Sequence, residues 1–204
     1  MSNSVKEMRQ LIVEIGALMY SRHLTDSAGG NLSVRMDDTI LMTPRLAGSV
    51  YRWQLNYEQV LVLDLQGKKL EGNGESSREG MVHLELLKEY YPDGTAVVHG
   101  HARNALVFCA FNQTLPAVLA TEDKFGDLIE VADHPAHSPE LAEVIVAAMR
   151  GQEARIRKQA AAVLAPRHGV FVLAKNLEAG YDALERIDGN AYCVLMGKMM
   201  GWTA

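Results

Sequence analysis

The sequence predicts an α/β fold with a mixed, largely antiparallel central sheet. Segments with strand-like alternation are interleaved with segments whose apolar residues recur at helical spacing, which is typical of layered α/β proteins. Several connections between the predicted strands are too short for the crossover that parallel neighbours require, and this favours antiparallel pairing. At 204 residues, we interpret residues 1–204 as a single domain.

Apolar residues at helical spacing predict five helices. The fourth begins at Ser138, Pro139 and Glu140, because serine caps a helix, proline suits its first position and an acid suits its first turn. We expect helices over residues 5–24, 78–90, 103–111, from 138 onward and over 177–200. Strands are expected over residues 32–36, 39–43, 60–65 and 68–70, near 129–131, and around the histidines His99, His101 and His168.

The composition is that of an ordinary globular protein, with 48% hydrophobic and 22% charged residues. The formal net charge of −5 and the interspersed charges argue against a nucleic-acid-binding surface. Residues 1–9 lack the pattern of a signal peptide, and no apolar run approaches membrane-spanning length. The two cysteines, Cys109 and Cys193, both lie in apolar helical patterns, so we expect buried free thiols and a cytoplasmic protein.

Two histidines two residues apart, His99 and His101, follow the apolar residues 96–98. In a strand, the side-chain period of two directs both imidazoles to one face. Zinc accepts neutral imidazole nitrogens, and a catalytic zinc site needs three protein ligands and an open position. His168, between two apolar runs, is the best candidate for the third ligand. Taken alone, the pair also fits a polar surface or a hydrogen-bonded core.

Glu79 and His83 lie four residues apart and therefore share one face of a predicted helix. Such a pair also occurs on ordinary protein surfaces. Beside a metal ion, however, Glu79 at the helix N-terminus would suit a general base that acts on a carbon acid. We interpret His83, among apolar neighbours, as a hydrogen-bonding core residue.

Three loops carry groups that suit an oxyanion, namely backbone N–H groups, hydroxyls and fixed cations. Each is weak alone, but the three together beside a metal motif are more informative. They are Gly29-Gly30-Asn31, Thr43 with Arg45, and Ser76-Ser77-Arg78. The remaining histidines are interpreted as residues without a direct role, His23 at a helix end and His134 and His137 on the surface.

This ordered set of motifs resembles the class II aldolase/adducin family, nearly from end to end of the chain. The resemblance is carried by residues 29–35, 43–44, 76–79 with His83, 97–102 and 167–169. It implies a three-layer α/β/α domain with a largely antiparallel sheet. It also implies a homotetramer whose active sites lie between subunits.

The resemblance also implies roles for individual residues. One Zn²⁺ ion per chain would be held by His99, His101 and His168, and Glu79 would be the acid/base carboxylate. The phosphate of a small phosphorylated sugar would be bound by Gly30, Asn31, Thr43, Ser76 and Ser77.

Two departures from the family pattern fall in this phosphate pocket. Arg78 intervenes between the serine pair and Glu79, and the loop after Thr43 is lengthened and contains Arg45. We therefore add Arg45 and Arg78 to the predicted substrate-binding residues, where they would receive a phosphate or a carboxylate.

The leading hypothesis is a zinc-dependent aldolase, a lyase of carbohydrate metabolism that cleaves a small ketose phosphate through a metal-stabilised enediolate. Glu at position 79 favours an aldolase, because the epimerases of the family carry Asp there. One alternative is a metal-dependent decarboxylase or dehydratase of a sugar-acid phosphate. Another is a non-catalytic interaction module like the adducin head, although a scaffold has no physical need for the histidines and Glu79.

Overall fold

The computed structural model describes residues 3–202 and is built on a seven-stranded sheet. In chain order the strands are β1 (Asn31–Met36), β2 (Thr39–Met42), β3 (Leu61–Asp64), β4 (Lys69–Glu71), β5 (Ala96–Gly100), β6 (Ala160–Ala165) and β7 (Gly169–Ala174). The helices are α1 (Asn3–Ser21), α2 (Gly80–Glu89), α3 (Ala105–Ala110), α4 (Pro139–Ala148), α5 (Glu153–Lys158) and α6 (Leu177–Met199).

The strands lie in the order β4-β3-β2-β1-β5-β7-β6, and each neighbouring pair is antiparallel. The predicted α/β class and largely antiparallel sheet are therefore confirmed. Among residues 3–202, the parallel component of the expected mixed sheet is limited to an isolated bridge between Glu130 and Leu164. This bridge is all that forms of the strand predicted near residues 129–131.

Helices cover both faces of the sheet and bury a separate apolar core on each. Side chains of α1, α3 and α6 pack on one face, and side chains of α2, α4 and α5 pack on the other. The alternation within β5 shows how one strand serves both layers, because Val98 belongs to the first core and Val97 to the second. The result is the three-layer α/β/α arrangement.

Several local predictions differ from the structure. His168 lies in the tight turn between β6 and β7 rather than within a strand, and its N–H donates to Ala165 O at 3.0 Å. His101 lies one residue beyond the end of β5. The short helix α5 has no counterpart among the predicted elements. Cys109 is buried as expected, whereas Cys193 is exposed because it lies on the outer face of α6.

In the part of the chain that is described, none of the helices combines the length and the apolar character needed to cross a membrane.

A buried carboxylate anchors the segment that follows His99 and His101. Asp188 of α6 accepts hydrogen bonds from the Asn104 backbone N–H at 2.7 Å, the Asn104 side-chain amide at 2.7 Å and the Ala105 N–H at 3.1 Å. These bonds satisfy backbone donors at the start of α3 that have no partner within that helix. Asp188 thereby fixes the position of α3 against α6.

We predict that Asp188→Ala lowers the free energy of unfolding by about 3 kcal/mol, because it leaves buried N–H groups without an acceptor. The matched control is Glu185→Ala on the same helix, where Glu185 forms an exposed ion pair with Arg22, and it should cost less than about 1 kcal/mol. Urea denaturation measures both. Equal stability of the two variants would contradict the anchoring role.

Candidate active site

The sheet topology brings the candidate site together from segments that are distant in sequence. Because β5 pairs with both β1 and β7, Asn31 lies opposite His99 on one side and Phe171 lies opposite His99 on the other. The β6–β7 turn then places His168 beside the end of β5. Glu79, at the N-terminus of α2, reaches the same point from the next layer.

Gly169 allows the turn to lie against both His99 and His101. Its φ of 151° is in a region that residues with a Cβ rarely adopt. A Cβ at this position would lie 2.7 Å from Gly100 O and 3.0 Å from ring carbons of His99 and His101. A glycine is therefore required where the turn contacts the histidine pair.

The carboxylate of Glu79 lies at the centre of the cluster and is only 6% exposed. Its Oε1 is 2.7 Å from His168 Nε2, and its Oε2 is 3.4 Å from His99 Nε2. The amide of Asn31 donates to Oε2 at 2.5 Å. One atom each from Glu79, His99 and His168 lie within 4.8 Å of one another, close enough to hold a metal ion.

Hydrogen bonds on the far side of the rings prepare two imidazoles as ligands. His99 Nδ1 donates to the carbonyl of Val170 at 3.0 Å, and His101 Nδ1 lies 3.1 Å from the carboxylate of Asp26. These acceptors fix the proton on Nδ1 and leave the lone pair on Nε2, as in metal-binding histidines. The Nε2 atom of His99 is buried without a hydrogen-bond partner among residues 3–202, and that of His168 faces Glu79 Oε1 at 2.7 Å, an arrangement that fits a metal site.

His101 stands beside this cluster rather than within it. Its ring centroid is 5.3 Å from that of His99 and 6.2 Å from that of His168. The cluster therefore contains two of the three predicted histidine ligands together with Glu79, which the sequence assigned to acid/base chemistry. His101 is the adjacent third nitrogen donor, and its role as a ligand stays a prediction.

The charge states in the cluster follow from burial and proximity. Burial by itself would raise the pKa of Glu79, but the neighbouring His99, His168 and Asn31 outweigh it and hold that pKa well below its usual range. Burial lowers the pKa of His99 to about 3. An anionic carboxylate beside the neutral imidazole of His99 belongs to the kind of donor set that zinc and similar divalent ions accept.

His83 lies behind the cluster. Its side chain is fully buried, with Nδ1 2.7 Å from Ser33 Oγ, and burial lowers its pKa to about 4. It supports the start of α2 from the core side, one helical turn after Glu79.

A small pocket opens beside Glu79. The predicted substrate-binding residues that line it are Gly30, Asn31, Arg45, Ser77 and Arg78. The Ser77 hydroxyl accepts hydrogen bonds from the Asn31 amide and the Glu79 N–H, both at 3.2 Å. Arg45 Nε is buried without a hydrogen-bond partner in the described chain. The pocket thus combines two guanidinium groups with hydrogen-bond donors.

Two predicted phosphate-binding residues lie outside the residues that line this pocket. The hydroxyl of Thr43 is buried and accepts a hydrogen bond from the Leu32 N–H at 3.1 Å, which joins β1 to the end of β2. Ser76 is exposed on the loop that leads to α2. Their phosphate-binding roles stay predictions.

His137, which the sequence predicted to lie on the surface without a direct role, is found at the pocket. It lines the pocket, and its Nδ1 is 3.6 Å from Glu79 Oε1. Burial lowers its pKa. The local sequence predicts only the cap of α4 at Ser138, and no spacing rule relates this loop to the histidines of β5. Its position depends on packing across the sheet.

The chain belongs to the family described as Class II Aldolase and Adducin N-terminal domain, which matches residues 10–195. An L-fuculose phosphate aldolase of Methanococcus vannielii is 28% identical over 177 residues, 86% of this chain and 89% of the relative. A 3-oxo-tetronate 4-phosphate decarboxylase of Haemophilus influenzae is 28% identical over 190 residues, 90% of this chain and 84% of the relative.

A solved structure of an L-fuculose 1-phosphate aldolase superposes on the whole chain and on 91% of its own length, with a TM-score of 0.84 and 25% identity. The family resemblance found in the sequence is confirmed. Relatives in this family are named as aldolases, a decarboxylase and a dehydratase of phosphorylated sugars or sugar acids, all of them lyases, and the family typically depends on a metal.

We predict that His168→Ala loses its metal, because removal of a ligand lowers affinity by more than the 10–100-fold typical of an outer partner. The matched control is His134→Ala, a histidine outside the cluster, which should retain the content of the parent. Plasma mass spectrometry of dialysed protein measures the metal, and circular dichroism confirms the fold. Equal metal in both variants, or a folded parent that takes up none, would contradict the assignment.

Proposed function

We propose that the protein is a metal-dependent aldolase that cleaves a small ketose phosphate. The observation that carries this proposal is the buried, anionic Glu79 carboxylate beside His99 and His168, at the edge of a pocket that contains Arg45 and Arg78. The Glu79 carboxylate suits proton transfer at carbon beside a Lewis acid, and the two arginines suit a phosphate.

We propose zinc as the metal and His99, His101 and His168 as its ligands, with Glu79 close enough to join them. A site with three imidazole ligands favours zinc over harder cations. A divalent ion there supplies Lewis-acid stabilisation of negative charge on the oxygens next to the reacting carbon.

Glu79 moves the proton to and from carbon in this proposal. In the direction of synthesis it removes a proton from the carbon next to the ketone, and in the direction of cleavage it returns a proton to that carbon. The Asn31 amide, 2.5 Å from Oε2, orients the carboxylate. Oε1 is the oxygen that faces His168 and His137, on the side of the pocket wall.

The pocket residues bind the anionic end of the substrate. Arg45 has an unpartnered buried Nε within the described residues, and its terminal nitrogen is 3.3 Å from Glu75. Arg78 lies on the same pocket. A phosphate that bridges these guanidinium groups would place its sugar carbons towards Glu79.

A decarboxylase is the second candidate, favoured by the same two arginines and by the Haemophilus relative. A ketose 1-phosphate that breaks between C3 and C4 releases an aldehyde and leaves the enediolate of dihydroxyacetone phosphate. A 3-oxo-tetronate 4-phosphate that loses carbon dioxide leaves the same enediolate. The two reactions differ in the group that departs, and the arginines suit a carboxylate as well as a phosphate.

We further propose a homotetramer with active sites between subunits and a cytoplasmic location. The first rests on the family resemblance, and the second rests on composition and cysteine content.

We predict that Glu79→Gln lowers kcat by about 10²–10⁴-fold, because the amide cannot transfer the proton at carbon. The matched control is Glu85→Gln, an exposed carboxylate on the same helix that pairs with Lys88, and it should keep the activity of the parent. Aldehyde release from ketose 1-phosphates and carbon dioxide release from 3-oxo acid phosphates are assayed separately, with rates expressed per bound metal.

The product distinguishes the two candidates. Aldehyde alone supports the aldolase, and carbon dioxide alone supports the decarboxylase. Undiminished turnover by Glu79→Gln would show that Glu79 is not the base.

A further inference from the structure

His137 is held at the pocket by an unusual backbone conformation. Its φ is 69°, in the left-handed region that non-glycine residues seldom occupy. The next residue, Ser138, caps α4 by accepting a hydrogen bond from the Leu141 N–H at 3.1 Å. Because this cap fixes the chain immediately after His137, the backbone of His137 is held in place and its imidazole lies at the pocket.

The imidazole of His137 places its Nδ1 atom near the carboxylate of Glu79. Its Nδ1 is buried and has no hydrogen-bond partner within residues 3–202. The distance to Glu79 Oε1 is 3.6 Å, which is too long for a direct hydrogen bond. The ring also lies edge-on to His168, with centroids 6.2 Å apart. A buried polar atom left unpaired lowers stability unless a ligand or water completes it.

The setting of His137 differs from that of the other polar groups on the pocket wall. Arg45 and Arg78 supply positive charge, and Glu79 supplies negative charge beside His99 and His168. His137 lines the same pocket and is within reach of Glu79. A hydrogen-bonding group at this place suits an uncharged oxygen of a molecule whose anionic end is held by the arginines.

We propose that His137 binds the substrate directly, through a hydrogen bond between its imidazole Nδ1 and a hydroxyl or carbonyl oxygen of a small ketone phosphate. This inference rests on the proposed function and adds to it a residue that touches substrate. It also assigns a reason for the left-handed backbone, since strained conformations persist where a side chain must be aimed.

Dihydroxyacetone phosphate is the probe, because both candidate reactions share this three-carbon ketone phosphate. Isothermal titration of the metal-loaded protein should give a Kd that rises about tenfold or more in His137→Ala. His134→Ala, from the same loop, should match the parent. His137→Asn should recover most of the affinity, because asparagine tolerates the left-handed region and places a polar atom near the site of Nδ1.

Metal content and melting temperature are measured on every variant. Weaker binding by His137→Ala with unchanged metal and melting temperature, restored by asparagine, supports the proposal. An unchanged Kd in His137→Ala overturns it and leaves the proposed function standing. Weaker binding that accompanies loss of metal or stability, without recovery by asparagine, also overturns it. A metal-loaded parent that does not bind the probe overturns the proposed function and this inference with it.

Discussion

The contact between one buried carboxylate and two imidazoles is the interaction on which the rest of the site depends. Glu79 would be costly to bury alone, and the contacts of its two oxygens with His168 Nε2 at 2.7 Å and the Asn31 amide at 2.5 Å offset that cost. The same contacts fix the directions of the His168 imidazole and of the carboxylate. Any ion that enters meets ligands that are already oriented, which reduces the ordering needed on binding.

The antiparallel sheet is what makes this contact available. Strand β5 lies between β1 and β7. Because β5 pairs with β7, His99 forms a hydrogen bond with Val170, which is some seventy residues away in the sequence. The β6–β7 turn can approach His99 and His101 because Gly169 has no side chain. Asp188 anchors the start of α3, which follows His101 by a few residues. The fold therefore positions the site through strand pairing between distant segments and through the tight β6–β7 turn.

Periodicity and short motifs were sufficient to predict the α/β class and to select His99, His168 and Glu79 as candidate site residues, because these depend on local spacing. The structure adds what local spacing cannot contain. Thr43 joins two strands with its buried hydroxyl, and His137 enters the pocket from a loop whose course is set by long-range packing. Glu79 proves to be a neighbour of the histidines as well as a candidate base. Each of these depends on contacts between distant segments.

Aldol cleavage and decarboxylation require one common event at this site, the formation of the enediolate of dihydroxyacetone phosphate next to Glu79. Proton NMR of dihydroxyacetone phosphate in D₂O, with the metal-loaded protein, measures that event without any aldehyde or carbon dioxide. We predict that one of the two hydrogens on the hydroxymethyl carbon is replaced by deuterium, and that Glu79→Gln suppresses the exchange. Saturating binding of dihydroxyacetone phosphate with no exchange would contradict the account.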